Sequence, residues 1–151
     1  MKSVKGDLLS LAAGGTFDVL VHGCNCFNTM GAGIAKTIRD RFPAAYDADL
    51  KTVSGDREKL GTITTATIQS DDHEFVIVNA YTQYDYRGSK NADYEAIRSA
   101  FKVIRNDFEG QRIGYPLLGA GLAGGDWEVI SKIIDEELAG EDHTVVIFQP
   151  E

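Results

Sequence analysis

The strongest signal for the fold is one stretch, Val19-Leu20-Val21-His22-Gly23-Cys24-Asn25, which continues as Met30-Gly31-Ala32-Gly33-Ile34-Ala35. It opens on a short apolar run, which is typical of a buried strand, and the glycines that follow predict a loop. Beyond the loop, Ile34, Ile38 and Phe42 recur at helical spacing. Pro43 predicts the end of this helix. The stretch therefore predicts a strand, a glycine-rich loop and a helix in succession.

The same succession returns further along the chain. A short strand predicted over 112–116 leads into Pro116-Leu117-Leu118-Gly119-Ala120-Gly121-Leu122-Ala123-Gly124-Gly125-Asp126, and a helical apolar stripe begins at Trp127 with Asp126 as its N-cap. Glycine allows backbone N–H groups to converge on an anion, and a helix N-terminus adds partial positive charge. Two such loops predict a diphosphate site at the carboxyl ends of the strands. The alternative is that both loops are ordinary turns that need glycine only for steric reasons.

The remaining pattern alternates between strands and helices. Strands are predicted over 61–69, 74–81 and 144–148, and helices over 44–53 and 94–108. The strand at 74–81 is apolar on both faces, which is typical of a sheet covered by helices on both sides. The fold class is therefore α/β. A length of 151 residues is about that of one domain, so we expect a single domain over residues 1–151.

The charge balance limits the partners. Fifteen basic and 23 acidic residues give a net charge of −8, and no stretch is basic enough to bind a nucleic-acid backbone. No apolar run approaches the roughly 20 residues that cross a bilayer, so no membrane association is expected. The first residues, Met1-Lys2-Ser3-Val4-Lys5, lack the apolar stretch of a signal peptide, and we expect a cytoplasmic protein.

His22, Cys24 and Cys26 alternate along the predicted strand, so they would face one way and could hold zinc. A closed zinc site wants a fourth ligand, and the sequence offers none at a suitable spacing. The two cysteines are also too close for an ordinary disulfide. We therefore favour the cysteines as small buried packing residues, with no metal, and expect His22 and Asn25 to point into the cleft.

These motifs, in this order, resemble those of the macro domain family, an ADP-ribose-binding α/β/α module. Lys5-Gly6-Asp7-Leu8-Leu9 is similar to the family's opening motif, whose aspartate accepts a hydrogen bond from the adenine amino group. Val21-His22-Gly23-Cys24-Asn25 occupies the position of Val-Asn-Ala-Ala-Asn, which implies that Asn25 contacts the distal ribose. The two glycine loops are similar to the family's phosphate loops, and Phe148 corresponds to an aromatic residue that lies against adenine.

The resemblance covers nearly the whole chain and implies a three-layer α/β/α sandwich with a mixed central sheet of about six strands. It also implies a set of ligand-binding residues: Asp7, Leu8, Gly31, Gly33, Ile34, Ala35, Leu118, Gly119, Ala120, Gly121, Leu122 and Phe148.

His22 stands where many macro domains have an asparagine. His-x-Cys-Asn-Cys followed by Gly-x-Gly-Ile-Ala is similar to the branch that removes phosphate from ADP-ribose 1″-phosphate. This resemblance implies a phosphatase without a cofactor, with His22 and Asn25 as catalytic residues and His22 as base or nucleophile. The alternatives are a non-catalytic reader of free or protein-linked ADP-ribose, and a hydrolase of ADP-ribosyl or O-acetyl-ADP-ribose esters.

A related branch uses a lysine after its fourth strand and an aspartate in its second loop. This chain has Asn79-Ala80-Tyr81-Thr82-Gln83 and Ala123 at those places, so the covalent mechanism of that branch is not expected here.

Overall fold

The computed structural model describes residues 1–150. The strands of this part of the chain are β1 (Lys2–Gly6), β2 (Val19–Cys24), β3 (Ile63–Ser70), β4 (His73–Tyr81), β5 (Ile113–Tyr115) and β6 (His143–Phe148). Its α-helices are α1 (Leu8–Ala13), α2 (Gly33–Arg41), α3 (Pro43–Leu50), α4 (Tyr94–Asp107) and α5 (Trp127–Glu137), and a single 3₁₀ turn covers Arg57–Lys59.

The six strands form one mixed sheet in the order β1-β6-β5-β2-β4-β3. Neighbouring strands are parallel, except that β3 runs antiparallel to β4 at the sheet edge. From β2 the chain builds the sheet toward β4 and β3, whereas from β5 it builds in the opposite direction toward β6. The strand order therefore reverses between β2 and β5, which is where open α/β sheets bind ligands.

Two buried layers cover the sheet. Residues of α4 and α5 pack on one face, together with Val19 and Val21 of β2. Residues of α1, α2 and α3 pack on the other face, together with Leu20 and Cys24. This alternation along β2 follows from the two-residue period of a strand. The predicted three-layer α/β/α sandwich with a six-stranded mixed sheet is confirmed.

Some elements differ from the sequence prediction. The predicted helix over 44–53 ends at Leu50, because the backbone N–H and the hydroxyl of Thr52 both donate to the Asp49 carbonyl and close the last turn. β1 and α1 were not predicted, since β1 is an exposed edge strand and α1 has only six residues. The predicted N-cap of α5 is confirmed, since Asp126 Oδ1 accepts from the Glu128 N–H at 2.9 Å. In residues 1–150, no helix has the length and apolar character needed to cross a membrane.

Candidate active site

A cavity of about 520 Å³ opens at the carboxyl ends of β2, β4 and β5, which is within the size range of small-molecule sites. The first glycine loop (residues 23–33) and the second glycine loop (residues 116–126) supply most of its walls. The residues that line it include Gly23, Cys24, Asn25, Asp49, Thr82 and Gly121. The cavity therefore lies at the reversal point of the strand order.

The first glycine loop delivers the N-terminus of α2 to this cavity. Ala32 is the N-cap of α2, and its side chain has no acceptor for the first N–H groups of the helix. Gly33, Ile34 and Ala35 line the cavity, so those donors and the positive end of the helix dipole are available to an anion. Gly33 has φ +59°, a left-handed conformation that favours glycine, and a Cβ there would lie 3.3 Å from Leu122 of the second loop.

The second glycine loop leaves its backbone open toward the cavity. A Cβ at Gly121 would meet no heavy atom within 4 Å, whereas one at Gly124 would overlap the Ser89 carbonyl. The Gly125 N–H donates to the Gly119 carbonyl at 2.8 Å, and this bond closes the loop. Gly124 is therefore required by packing, while Gly121 leaves open space at the wall of the site.

Most of the predicted ligand-binding residues meet in this cavity. The predicted residues that line it are Asn25, Gly31, Gly33, Ile34, Ala35, Leu118, Gly119, Gly121 and Leu122. Asn25 braces the first loop, because its Nδ2 donates to Thr29 Oγ1 at 2.7 Å and its Oδ1 accepts from the Phe27 N–H at 2.8 Å. Ala120 belongs to the second loop but does not line the cavity.

Asp7, Leu8 and Phe148 do not line the cavity either, but they lie near the same edge of the sheet. β1 and β6 are parallel neighbours with Gly6 opposite Phe148, so Asp7 and Phe148 follow adjacent strand ends. Phe148 is 71% exposed, and Leu8 is a buried core residue. Asp7 Oδ1 caps α1 by accepting from the Leu9 and Ser10 N–H groups, so Oδ2 is not used in the cap. A contact between these residues and adenine stays a prediction.

The predicted orientation of His22 into the cleft is wrong. Its side chain is fully buried on the sheet face that α3 covers, and it does not line the cavity. Its Nε2 lies 2.6 Å from Asn79 Oδ1. Burial lowers the pKa of His22 to about 4, so the imidazole is neutral near pH 7. His22 lies within β2, two residues before the strand ends at Cys24, so its side chain packs between the sheet and α3 instead of at the strand end where the cavity opens.

The cysteines are buried free thiols, as the packing interpretation predicts. Burial raises the pKa of both Cys24 and Cys26, which keeps them protonated near neutral pH. Cys26 donates weakly to the Gln83 carbonyl at 3.5 Å. Within the described residues, no three His, Cys, Asp or Glu side chains are grouped so that they could hold a metal ion.

The Macro domain family profile matches residues 21–134, a span that includes both glycine loops. The chain belongs to the Macro domain family. This macro domain is 32% identical to an uncharacterized 17.5 kDa protein of Enterobacteria phage T4, over 99% of this chain and 97% of that protein. The macrodomain of Thermus aquaticus DarG has the same fold, with a TM-score of 0.75 and 26% identity over 99% of this chain and 97% of that one.

Relatives of this macro domain whose names describe an activity include a phosphatase and a glycohydrolase. One is the ADP-ribose 1″-phosphate phosphatase of Candida albicans, which is 26% identical over 88% of this chain and 90% of that protein. The other is the DNA ADP-ribosyl glycohydrolase of Mycobacterium tuberculosis, which is 28% identical over 96% of this chain. The alignment covers 41% of the length of the mycobacterial protein.

Two buried polar residues of the macro domain line the cavity and were missed by the sequence prediction. Asp49 is 1% exposed and lines the cavity, and its Oδ2 has no hydrogen-bond partner among the described residues. Thr82 Oγ1 is also buried and has no hydrogen-bond partner among the described residues. It lies close to β2, since a Cβ added at Gly23 would be 2.7 Å from this oxygen. Ala45 and Asp49 lie one helical turn apart on the buried side of α3, but the sequence of α3 has no regular apolar stripe that would have marked Asp49.

Proposed function

We propose that this macro domain binds ADP-ribose and hydrolyses a linkage at the 1″ position of its distal ribose, with ADP-ribose 1″-phosphate as its substrate. One observation carries the proposal: two glycine loops with available backbone donors face each other across one cavity. The named Candida albicans phosphatase supports the choice of substrate, because its similarity covers most of both chains.

Backbone groups bind the diphosphate in this proposal. No lysine or arginine is among the residues that line the cavity, and the whole chain carries a net charge of −8. Backbone N–H groups and the N-terminus of α2 are then the donors for an anion, and neither requires a basic side chain. Exposed acidic residues are screened beyond a Debye length of about 8 Å at physiological salt, so the local donors dominate.

The row of parallel strand ends fits an extended ligand. In this proposal, adenine lies beside Phe148 with its amino group toward Asp7 Oδ2, and the diphosphate lies between the two glycine loops. The distal ribose then reaches Asn25 and the floor of the cavity near Asp49. The order β1, β6, β5, β2 and β4 along the sheet supports this direction, since each part of the ligand meets the next strand end.

A second candidate substrate is ADP-ribose attached to DNA. The similarity to the mycobacterial DNA ADP-ribosyl glycohydrolase covers 96% of this chain and favours this reading. Cleavage of such a glycosidic bond takes place at C1″ itself, which is adjacent to the P–O1″ bond of the 1″-phosphate. The two substrates would therefore place the reacting bond at the same end of the cavity.

Phosphate release from ADP-ribose 1″-phosphate tests the proposed substrate. The purified protein is expected to liberate inorganic phosphate and ADP-ribose in equal amounts, while a parallel calorimetric titration shows ADP-ribose binding. Binding of ADP-ribose without any phosphate release would indicate that the protein is a non-catalytic reader of ADP-ribose. Release of ADP-ribose from a modified oligonucleotide, with no phosphate release from the 1″-phosphate, would instead select the DNA substrate.

A further inference from the structure

A row of polar side chains crosses three strands beneath α3. His22 of β2 is in register with Asn79 of β4, and Asn79 is in register with Thr64 of β3. His22 Nε2 lies 2.6 Å from Asn79 Oδ1, and Asn79 Nδ2 lies 3.1 Å from Thr64 Oγ1. The row continues from Thr64 Oγ1 to the Tyr81 hydroxyl at 3.0 Å, and from there to Asp49 Oδ1 at 2.7 Å. Three side chains, those of Asn79, Thr64 and Tyr81, therefore link a buried imidazole to a carboxylate at the cavity.

The chemistry of the groups gives this chain one direction. Asn79 Nδ2 donates to the Ala45 carbonyl, which can only accept, so Asn79 Oδ1 faces His22 and His22 Nε2 must donate. The other Nδ2 hydrogen goes to Thr64 Oγ1, which leaves the Thr64 hydroxyl to donate to Tyr81. Tyr81 then donates to Asp49 Oδ1. Every donor points toward Asp49, an arrangement that stabilises a negative carboxylate.

The second carboxylate oxygen of Asp49, Oδ2, takes no part in this hydrogen-bond network. Asp49 Oδ2 is buried and has no hydrogen-bond partner among the described residues, and Asp49 lines the cavity next to Cys24 and Asn25. Buried polar atoms in proteins nearly always have a partner, and an unmade bond costs roughly 1–3 kcal/mol. An ionised carboxylate accepts only, so the missing partner is a donor rather than a phosphate oxygen.

We propose that Asp49 is the catalytic base of the hydrolysis and that its Oδ2 binds the attacking water. This inference rests on the proposed function. Oδ2 removes a proton from the water as its oxygen forms a bond to phosphorus of the 1″-phosphate. The bond between phosphorus and O1″ breaks, and its electron pair stays on O1″, which takes up a proton. The products are ADP-ribose and inorganic phosphate, and no further reactant is needed.

The surroundings of Asp49 suit a base that works near neutral pH. Burial raises the pKa of Asp49, while the Tyr81 hydrogen bond and the charge of Lys59 act in the opposite direction. Four titratable groups interact with it from the segments that surround α3: Tyr81 of β4, Lys59 of the 3₁₀ turn, and the neutral thiols of Cys24 and Cys26. A carboxylate whose pKa is raised takes up a proton more readily than an ordinary one.

The first test compares two substitutions on α3. Asp49→Asn keeps the size of the side chain and removes the base, and it is expected to lower phosphate release by roughly 10²-fold or more. Its Kd for ADP-ribose should stay within about threefold of the wild-type value, since the base serves the reacting water. Asp47→Asn is the matched control, because it removes the same charge from an exposed position of the same helix. Phosphate release by the control should be unchanged.

The second test keeps the carboxylate and removes its donor. Tyr81→Phe breaks the bond to Asp49 Oδ1, which raises the pKa of Asp49 further, so the acid limb of the pH–rate profile is expected to move to higher pH. This readout remains available where Asp49→Asn fails to fold. An unshifted acid limb in Tyr81→Phe would overturn the proposal, because a purely structural tyrosine would not control that limb.

Three further outcomes separate the base from the proposed function. Full phosphate release by a folded Asp49→Asn protein would overturn the base alone. A rise in Kd that accounts for the whole loss of activity would make Asp49 an acceptor for a ribose hydroxyl and would also overturn the base. A wild-type protein that releases no phosphate would overturn the proposed function and the base together.

Discussion

At the scale of single residues, burial acts in opposite directions on the two ends of the polar row. It disfavours the charged form of each group, so it lowers the pKa of His22 to about 4 and raises the pKa of Asp49. His22 therefore stays neutral, and because the Ala45 carbonyl fixes the orientation of the Asn79 amide, Nε2 is the ring nitrogen that carries the proton. This burial does not support His22 as a base or nucleophile, and we infer instead that it positions Asn79.

The shifted His22 pKa predicts how stability depends on pH. Above pH 6.5 the imidazole is neutral in both the folded and the unfolded chain. As the pH falls from 6.5 toward 4, the unfolded chain binds a proton first, so the free energy of unfolding decreases. The shift corresponds to a loss of about 3 kcal/mol from this residue, which is complete near pH 4.

Urea denaturation of the wild type and of His22→Gln between pH 4 and pH 7.5 measures this contribution. Glutamine keeps an N–H donor for Asn79 but does not titrate, so the stability gap between the two proteins should narrow as the pH falls. Parallel stability curves for the two proteins would contradict the assignment of a buried neutral imidazole.

At the scale of elements, the second glycine loop contains one glycine that packing requires and another that leaves space for a ligand. Gly124 has φ +72° and its Cβ would overlap the Ser89 carbonyl, so the fold demands it. Gly121 has open space on its cavity side and no left-handed backbone. A side chain at Gly121 should therefore disturb the ligand without disturbing the fold.

We predict that Gly121→Glu abolishes ADP-ribose binding and leaves the melting temperature within a few degrees of the wild-type value. The glutamate would fill the space between the loops and add a like charge beside the diphosphate. Calorimetry and thermal melting measure the two effects, and Gly121→Gln and Gly121→Ala separate charge from bulk. A folded Gly121→Glu protein that still binds would rule out the second loop as a phosphate site.

The start of α5 gives a separate prediction. Asp126 is the last residue of the second glycine loop and caps α5, so Asp126→Ala should lower the free energy of unfolding by about 1 kcal/mol and leave ADP-ribose affinity unchanged. Asp126→Asn is the control, because asparagine caps equally well. Chemical denaturation and calorimetry on the three proteins would detect a binding role for Asp126 as weakened affinity in the alanine variant.

At the scale of the whole molecule, the sequence predicts the three layers of the fold and the two glycine loops of the site. It does not predict Asp49, which lies buried at the cavity. The strand, loop and helix patterns around both glycine loops place these loops at the carboxyl ends of strands, because each loop carries its own local signal. β1 is an edge strand of mostly exposed residues, so no apolar alternation marks it. Asp49 reaches the cavity only through the packing of α3 against β3 and β4, and no local pattern encodes that contact.

In the proposed function, the two glycine loops form a site for the diphosphate and the distal ribose. Isothermal titration calorimetry of the wild-type protein with ADP-ribose and with AMP tests this claim most directly. AMP lacks the second phosphate and the distal ribose, so only the adenine end of the proposed ligand pose remains for it. We predict a Kd in the micromolar range for ADP-ribose and a Kd for AMP that is higher by at least about tenfold, which corresponds to ~1.4 kcal/mol. Equal affinities for ADP-ribose and AMP would contradict a site for the diphosphate and the distal ribose between the two glycine loops.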